Sequence, residues 1–197
     1  MSLYASDLQN DLILSAYLDE RYRGLGITFQ RVNDLTQQHQ GVDILLSENG
    51  KVITVDEKAQ MHYLNKSLPT FAFEIGYLKN GVPHKGWLFD EQKTTEVYFL
   101  IVHIYTDGER LTSPSQIKSC KILRIDRKAL IGALAQWGLD SAACYRAESN
   151  ARKNGLFGKI PIPGERRFSF NRTQHLVESP FNIVIRLDML ATIGQWL

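Results

Sequence analysis

Asp43, Asp56 and Lys58 are the side chains in this 197-residue chain whose types and spacing best suit chemistry. Asp43 interrupts the apolar run Val42-Asp43-Ile44-Leu45-Leu46, and Asp56 follows Val52-Ile53-Thr54-Val55 and leads into Glu57-Lys58. Between them, Glu48-Asn49-Gly50-Lys51 is a hairpin signal, because Asn-Gly suits the positive φ angles of a tight turn. The two acids are therefore expected on adjacent antiparallel strands. Side chains alternate along a strand, so Asp56 and Lys58 share a face and Glu57 points away from it. Gln60 continues the Asp56–Lys58 face if the strand extends that far. With Asp43 on that face as well, two carboxylates and an ammonium stand at short range. Carboxylates that repel each other in an apolar sheet are costly, and a divalent cation relieves the repulsion. Oxygen donors suit Mg²⁺ or Mn²⁺ rather than zinc. Lys58 would then reach a water or a phosphate at the site. The competing reading makes Asp56 and Lys58 a solvated pair on the outer face of a strand, and Asp43 an acid beside a turn.

The elements around these residues read as one α/β domain over residues 1–197. A helix is expected from about Ser6 to Arg23, with Ser6 as N-cap, Asp7 in its first turn and Gly24 and Gly26 ending it. Leu8, Leu12, Ala16 and Glu20 recur every four residues, and Ile13 and Tyr17 widen that stripe. Thr28 to Leu35 suggests a short strand entering a turn, and Gln37 to Gly41 a loop. Further strands are expected at Thr70–Tyr77, before the turn Lys79-Asn80-Gly81, and at Gly86–Phe89, Val97–Tyr105, Ile122–Ile125 and Phe181–Leu187. Val97–Tyr105 is nearly all apolar or aromatic, as befits a central strand buried on both faces. Helices are expected over Arg127–Trp137 and Asp140–Lys153, with a short one from about Leu190. Ile160–Gly164 and Arg166-Arg167-Phe168-Ser169-Phe170 read as loops.

An Asp, a gap of twelve residues, then Asp56-Glu57-Lys58, on adjacent strands after an N-terminal helix, resembles the PD-(D/E)XK nuclease superfamily. The resemblance runs from the first helix to about Tyr77, and Val42 stands where the family name has proline. It implies a restriction-endonuclease-like fold: a central mixed sheet flanked by helices, with the N-terminal helix preceding the active-site strands. It implies that Asp43 and Asp56 hold Mg²⁺ (or Mn²⁺), with the backbone carbonyl of Glu57 as a further ligand. Lys58 would orient or help deprotonate the attacking water, and metal and lysine would stabilise charge growing in the transition state. Glu20 would supply the acid that many members carry on the first helix, with Asp19 as the fallback, and Gln60 would assist. The activity implied is phosphodiester hydrolysis in DNA, and a homodimer is one assembly open to such enzymes. The alternative is a nucleic-acid-binding or assembly protein on the same fold that does not cut.

Charge is unevenly spread. The net charge is +2, yet Arg110 to Arg172 holds 13 basic and four acidic residues, leaving ten basic and 17 acidic elsewhere. Lys118, Lys121, Arg166 and Arg167 are candidate nucleic-acid contacts, since basic groups neutralise phosphates, and Phe157, Phe168 and Phe170 among them are candidates to stack on bases. Five histidines lack ligand spacing, which argues against zinc, and neither a P-loop nor a Gly-x-Ser-x-Gly elbow occurs. Cys120 and Cys144 form no metal-ligand pattern; a disulfide between them is conceivable from sequence alone. The N-terminal residues do not resemble a signal peptide, and no apolar run approaches the ~20 residues of a membrane span, so the expected address is the cytoplasm.

Overall fold

The computed structural model describes residues 3–108 and 110–197, and the described side chains begin at Leu8. The chain is mixed α/β. In order, the elements are α1 (Leu3–Gly24), β1 (Phe29–Arg31), α2 (Leu35–His39), β2 (Ile44–Glu48), β3 (Lys51–Ala59), β4 (Thr70–Lys79), β5 (Val82–Lys85), β6 (Val97–Thr106) and β7 (Ile117–Asp126). Then follow α3 (Arg127–Gln136), α4 (Ser141–Lys153), β8 (Gly158–Pro161), β9 (Phe168–Arg172), β10 (Phe181–Arg186), α5 (Leu187–Leu190) and β11 (Gly194–Trp196). Contacts divide the chain into two compact units. One comprises Met1–Leu68, Thr95–Ile125 and Gln195–Leu197, the other Pro69–Thr94 and Asp126–Gly194.

The first unit carries a six-stranded mixed sheet in the order β1-β2-β3-β6-β7-β11. The expected hairpin forms: Ile44 pairs with Val55 and Glu48 with Lys51, antiparallel. Asn49 (φ 52°) and Gly50 (φ 75°) both lie in the left-handed region that a two-residue hairpin turn demands. β3 then pairs in parallel with β6, with Asp56 opposite Tyr98 and Lys58 opposite Leu100. β6 is the most buried strand, as its composition predicts, with Val97 to Val102 all buried.

The apolar face of α1 differs from the expected one. Ile13, Leu14, Leu18 and Tyr22 are buried against Ile44, Leu46, Val55, Val97, Phe99 and Ile101. Leu8 and Leu12 are 53% and 66% exposed, and Ala16 and Glu20 are exposed with them. Two stripes of period four compete on this helix, and the one ending on Tyr22 wins because it buries an aromatic ring instead of a carboxylate. α1 begins at Leu3, so Ser6 and Asp7 lie within it rather than at its cap; their side chains fall outside the described ones. The stretch expected as loop at Gln37 to Gly41 is largely α2, started by Asp34, whose carboxylate accepts from the Gln37 N–H at 2.9 Å.

The second unit is a five-stranded antiparallel sheet, β5-β4-β10-β9-β8, with α3 and α4 in the same unit. Asn80 and Gly81 repeat the left-handed turn between β4 and β5. Gly86–Phe89 is not a strand but a turn after β5. Gly86 packs so closely on the Glu74 backbone that an added Cβ would stand 2.5 Å from its carbonyl oxygen. Ile160–Gly164 is partly strand, and Phe168–Phe170 lies within β9. No helix among the described residues is long and apolar enough to cross a membrane.

Candidate active site

The hairpin of β2 and β3 brings Asp43 to the middle of β3. Asp43 immediately precedes β2, and its N–H donates to the Val55 carbonyl at 2.8 Å. Its Oδ2 accepts from the Glu57 N–H at 2.7 Å, so the carboxylate is held by the backbone of the Asp56-Glu57-Lys58 segment. Gly41 just before it has φ 77°, and the Thr95 hydroxyl donates to the Gly41 carbonyl at 2.7 Å, fixing the approach of the chain.

Strand alternation places the next three side chains as expected. Asp56 and Lys58 share a face, with Lys58 Nζ 2.6 Å from Asp56 Oδ1. Asp56 is only 2% exposed. Its burial pushes the carboxyl up to about 7, against the pull of the Lys58 ammonium and with the added push of the Asp43 carboxylate, which lies within hydrogen-bonding range. A buried aspartate that keeps a proton near neutrality beside a second carboxylate and a lysine is what a crowded acid pair does.

Glu57 points to the opposite face, towards α1, and its side chain is 9% exposed. Tyr22 Oη donates to Glu57 Oε1 at 2.6 Å and Arg31 Nη1 to Oε2 at 2.7 Å. Arg31 in turn bonds Asp19 Oδ1 through Nε at 2.9 Å and Nη2 at 2.5 Å. Burial raises the Glu57 carboxyl despite the lowering effect of Arg31 and Tyr22. Burial also opposes the charge on Arg31, but the bonds to Glu57 and Asp19 outweigh it and hold the guanidinium above its ordinary value. The Tyr22 hydroxyl is raised strongly, by burial and by the neighbouring Glu57.

The other expected members of the site separate. Glu20 is exposed on α1, whereas Asp19, the fallback, enters the Arg31–Glu57 network. β3 ends at Ala59, so Gln60 lies past the strand; its N–H donates to the Ile101 carbonyl at 3.0 Å. Arg31 and Tyr22 went unmarked in the sequence. The available signal was alternation itself, which turns Glu57 towards α1 and calls for polar partners there. A cavity of about 550 Å³ in this unit is lined by Asp43, Glu57 and Lys58 together with residues of α1 and of the turn after β3.

For a divalent cation, the fit is one of chemistry. Asp43 and Asp56 are adjacent oxygen donors whose mutual repulsion a cation would relieve. Among the described residues no group of three or more His, Cys, Asp or Glu side chains could hold a metal, so further ligands would have to come from backbone or water.

Part of the basic segment is engaged in internal bonds. Lys118 pairs with Asp107, Arg124 with Glu48, Arg152 with Glu148 and Arg167 with Glu165. Arg127 donates to the carbonyls of Leu88 and Asp90. Lys121 lies 6.0 Å from the Trp196 ring. Lys118 and Lys121 are in the first unit, Arg166 and Arg167 in the second. The two phenylalanines beside Arg167 are core residues, not exposed stacking platforms: Phe168 stacks on Trp137 and Phe170 on Phe181. Phe157 is 39% exposed, with the Arg172 guanidinium 4.1 Å from its ring centre. Cys120 and Cys144 are both free and buried.

Comparison with protein-family models, with curated proteins and with solved structures finds no match to the chain.

Proposed function

We propose that this chain is a divalent-metal-dependent nuclease of the restriction-endonuclease-like kind, hydrolysing phosphodiester bonds in DNA. The observation that carries the reading is the convergence of Asp43, just before β2, on Asp56 and Lys58 of β3, with Asp56 buried and raised to about 7. Structural ion pairs seldom set a second carboxylate beside a buried one, because desolvation and repulsion both count against it. Asp43 and Asp56 would hold Mg²⁺ or Mn²⁺, with the Glu57 carbonyl alongside. When bound, the cation supplies Lewis-acid stabilisation of the reacting phosphate. Lys58 gives up its contact with Asp56 and serves the attacking water or the phosphate oxygens. Arg31, Tyr22 and Asp19 hold Glu57, and through the Glu57 N–H they fix the Asp43 carboxylate. Lys118, Lys121, Arg166 and Arg167 remain the candidates for holding the nucleic acid. The test is cleavage of labelled DNA in Mg²⁺ or Mn²⁺: wild-type protein cuts and Asp56→Ala does not. Equal cutting by both overturns the reading.

A second reading has its own observation. Lys58 already neutralises Asp56, and Asp43 already accepts a backbone N–H, so the acids have partners without a metal. On that reading the protein binds nucleic acid without cutting it, and its affinity falls steeply with salt and ignores divalent metals.

A further inference from the structure

The cavity beside Asp43 and Lys58 has an apolar side that the core explains only in part. Leu8 and Leu12, one turn apart on α1, line it while remaining 53% and 66% exposed. The fold keeps a different face of α1 for its own packing. Leu14, Leu18, Val32 and Met61 line the cavity too, and exposed aliphatic side chains that extend such an apolar wall suit a ligand contact. Asn33 and His62 line the same cavity and are also exposed. One concavity thus brings Lys58 and Arg31 among the carboxylates of Asp11, Asp43 and Glu57, with aliphatic side chains along α1 and an amide and an imidazole beside them. A nucleotide presents the complement of these: a phosphate, an apolar base face and a hydrogen-bonding base edge.

We infer that this cavity receives a single unstacked nucleotide, so that the substrate is a single-stranded segment or frayed end of a nucleic acid rather than intact duplex. The inference rests on the reading of Asp43, Asp56 and Lys58 as a phosphodiester site. Its volume, about 550 Å³, falls within the range of pockets that enclose one small molecule. A base in a duplex has both faces stacked and its edge paired, and must be flipped out at a cost of a few kcal/mol before it can enter; an unpaired base bears little of that cost. Leu8 and Leu12 would cover the face of the base, Asn33 and His62 would meet its edge, and Lys58 would hold the adjoining phosphate.

The test is fluorescence anisotropy in EDTA with a short labelled DNA strand, presented alone and as a blunt duplex of the same sequence. The single strand binds at least roughly tenfold more tightly than the duplex. Leu8→Ser/Leu12→Ser weakens single-strand binding by about tenfold, and Leu12→Ala by less, while thermal unfolding hardly moves because both leucines are exposed. Equal affinity for the two DNA forms, no measurable binding of either, or full single-strand affinity in the double variant overturns the inference. Failure of the metal reading shows separately, in a Mn²⁺ titration without nucleic acid.

Discussion

The backbone N–H of Glu57 donates to Asp43 Oδ2 at 2.7 Å across the β2–β3 hairpin. That bond makes the Asp43 carboxylate part of the β3 segment, and it places both carboxylates of the proposed metal pair under the control of one strand. Asp43→Ala leaves a half-buried N–H without its acceptor and is expected to cost about 1–2 kcal/mol of stability. Asp43→Asn keeps an acceptor and costs less. Both variants lose divalent-metal binding. Thermal unfolding beside a Mn²⁺ titration separates the two effects.

On the proposed metal reading, proton and cation would compete for Asp56. Its folded value of about 7 stands above the ordinary 3.8, so the folded protein holds a proton there that the unfolded chain has lost. The corresponding stability is fully present below the ordinary value and disappears as pH rises through about 7. Metal-free protein therefore loses stability across that window, and Asp56→Asn flattens the dependence. Mn²⁺ affinity runs the other way: it strengthens as pH rises to about 7, with release of a proton, and then levels off. Calorimetry in two buffers of different protonation enthalpy checks both affinity and proton count.

If Asp56 holds the cation and Lys58 serves the reaction, single variants separate the two. Lys58→Met takes away the ammonium that pulls the Asp56 carboxyl down, so Mn²⁺ binding should persist but move to higher pH, while cleavage falls by about 10²- to 10⁴-fold, the usual scale for removing a positioned proton-transfer or charge-stabilising group. Cleavage close to wild type in Lys58→Met would remove the lysine from the reaction.

Arg31 is expected to matter more to the fold than its sequence position suggests. Arg31→Ala strips Glu57 of its counter-ion, and leaving a partly buried carboxylate without that partner is expected to cost about 1–3 kcal/mol. Tyr22→Phe, which removes one hydroxyl bond to Glu57, should cost about 1 kcal/mol. A double-mutant cycle on Arg31 and Glu57 gives the coupling, and additive effects would contradict the network.

The hairpin, the alternation that pairs Asp56 with Lys58, and the buried β6 were all legible because each depends on neighbours in sequence. The side of α1 that packs was not, since two stripes of the same period compete and only the sheet decides between them. Gln60 joins the Asp56–Lys58 face only if the strand reaches it, and β3 ends one residue earlier, at Ala59. The Arg31–Glu57–Tyr22 cluster joins residues far apart in sequence, with no spacing to announce it. Phe168 and Phe170 sit in a basic run that resembles a binding loop, but their alternation in β9 turns them into the core. Local periodicity places side chains on faces; which face is buried is settled by partners distant in the chain.

The central claim is a divalent cation held between Asp43 and Asp56, and Mn²⁺ titrated by calorimetry into wild-type protein and into Asp43→Ala/Asp56→Ala tests it most directly. Binding of one Mn²⁺ by the wild type and none by the double variant is the predicted result. Equal heats from both proteins, or none from the wild type above pH 7, would contradict it.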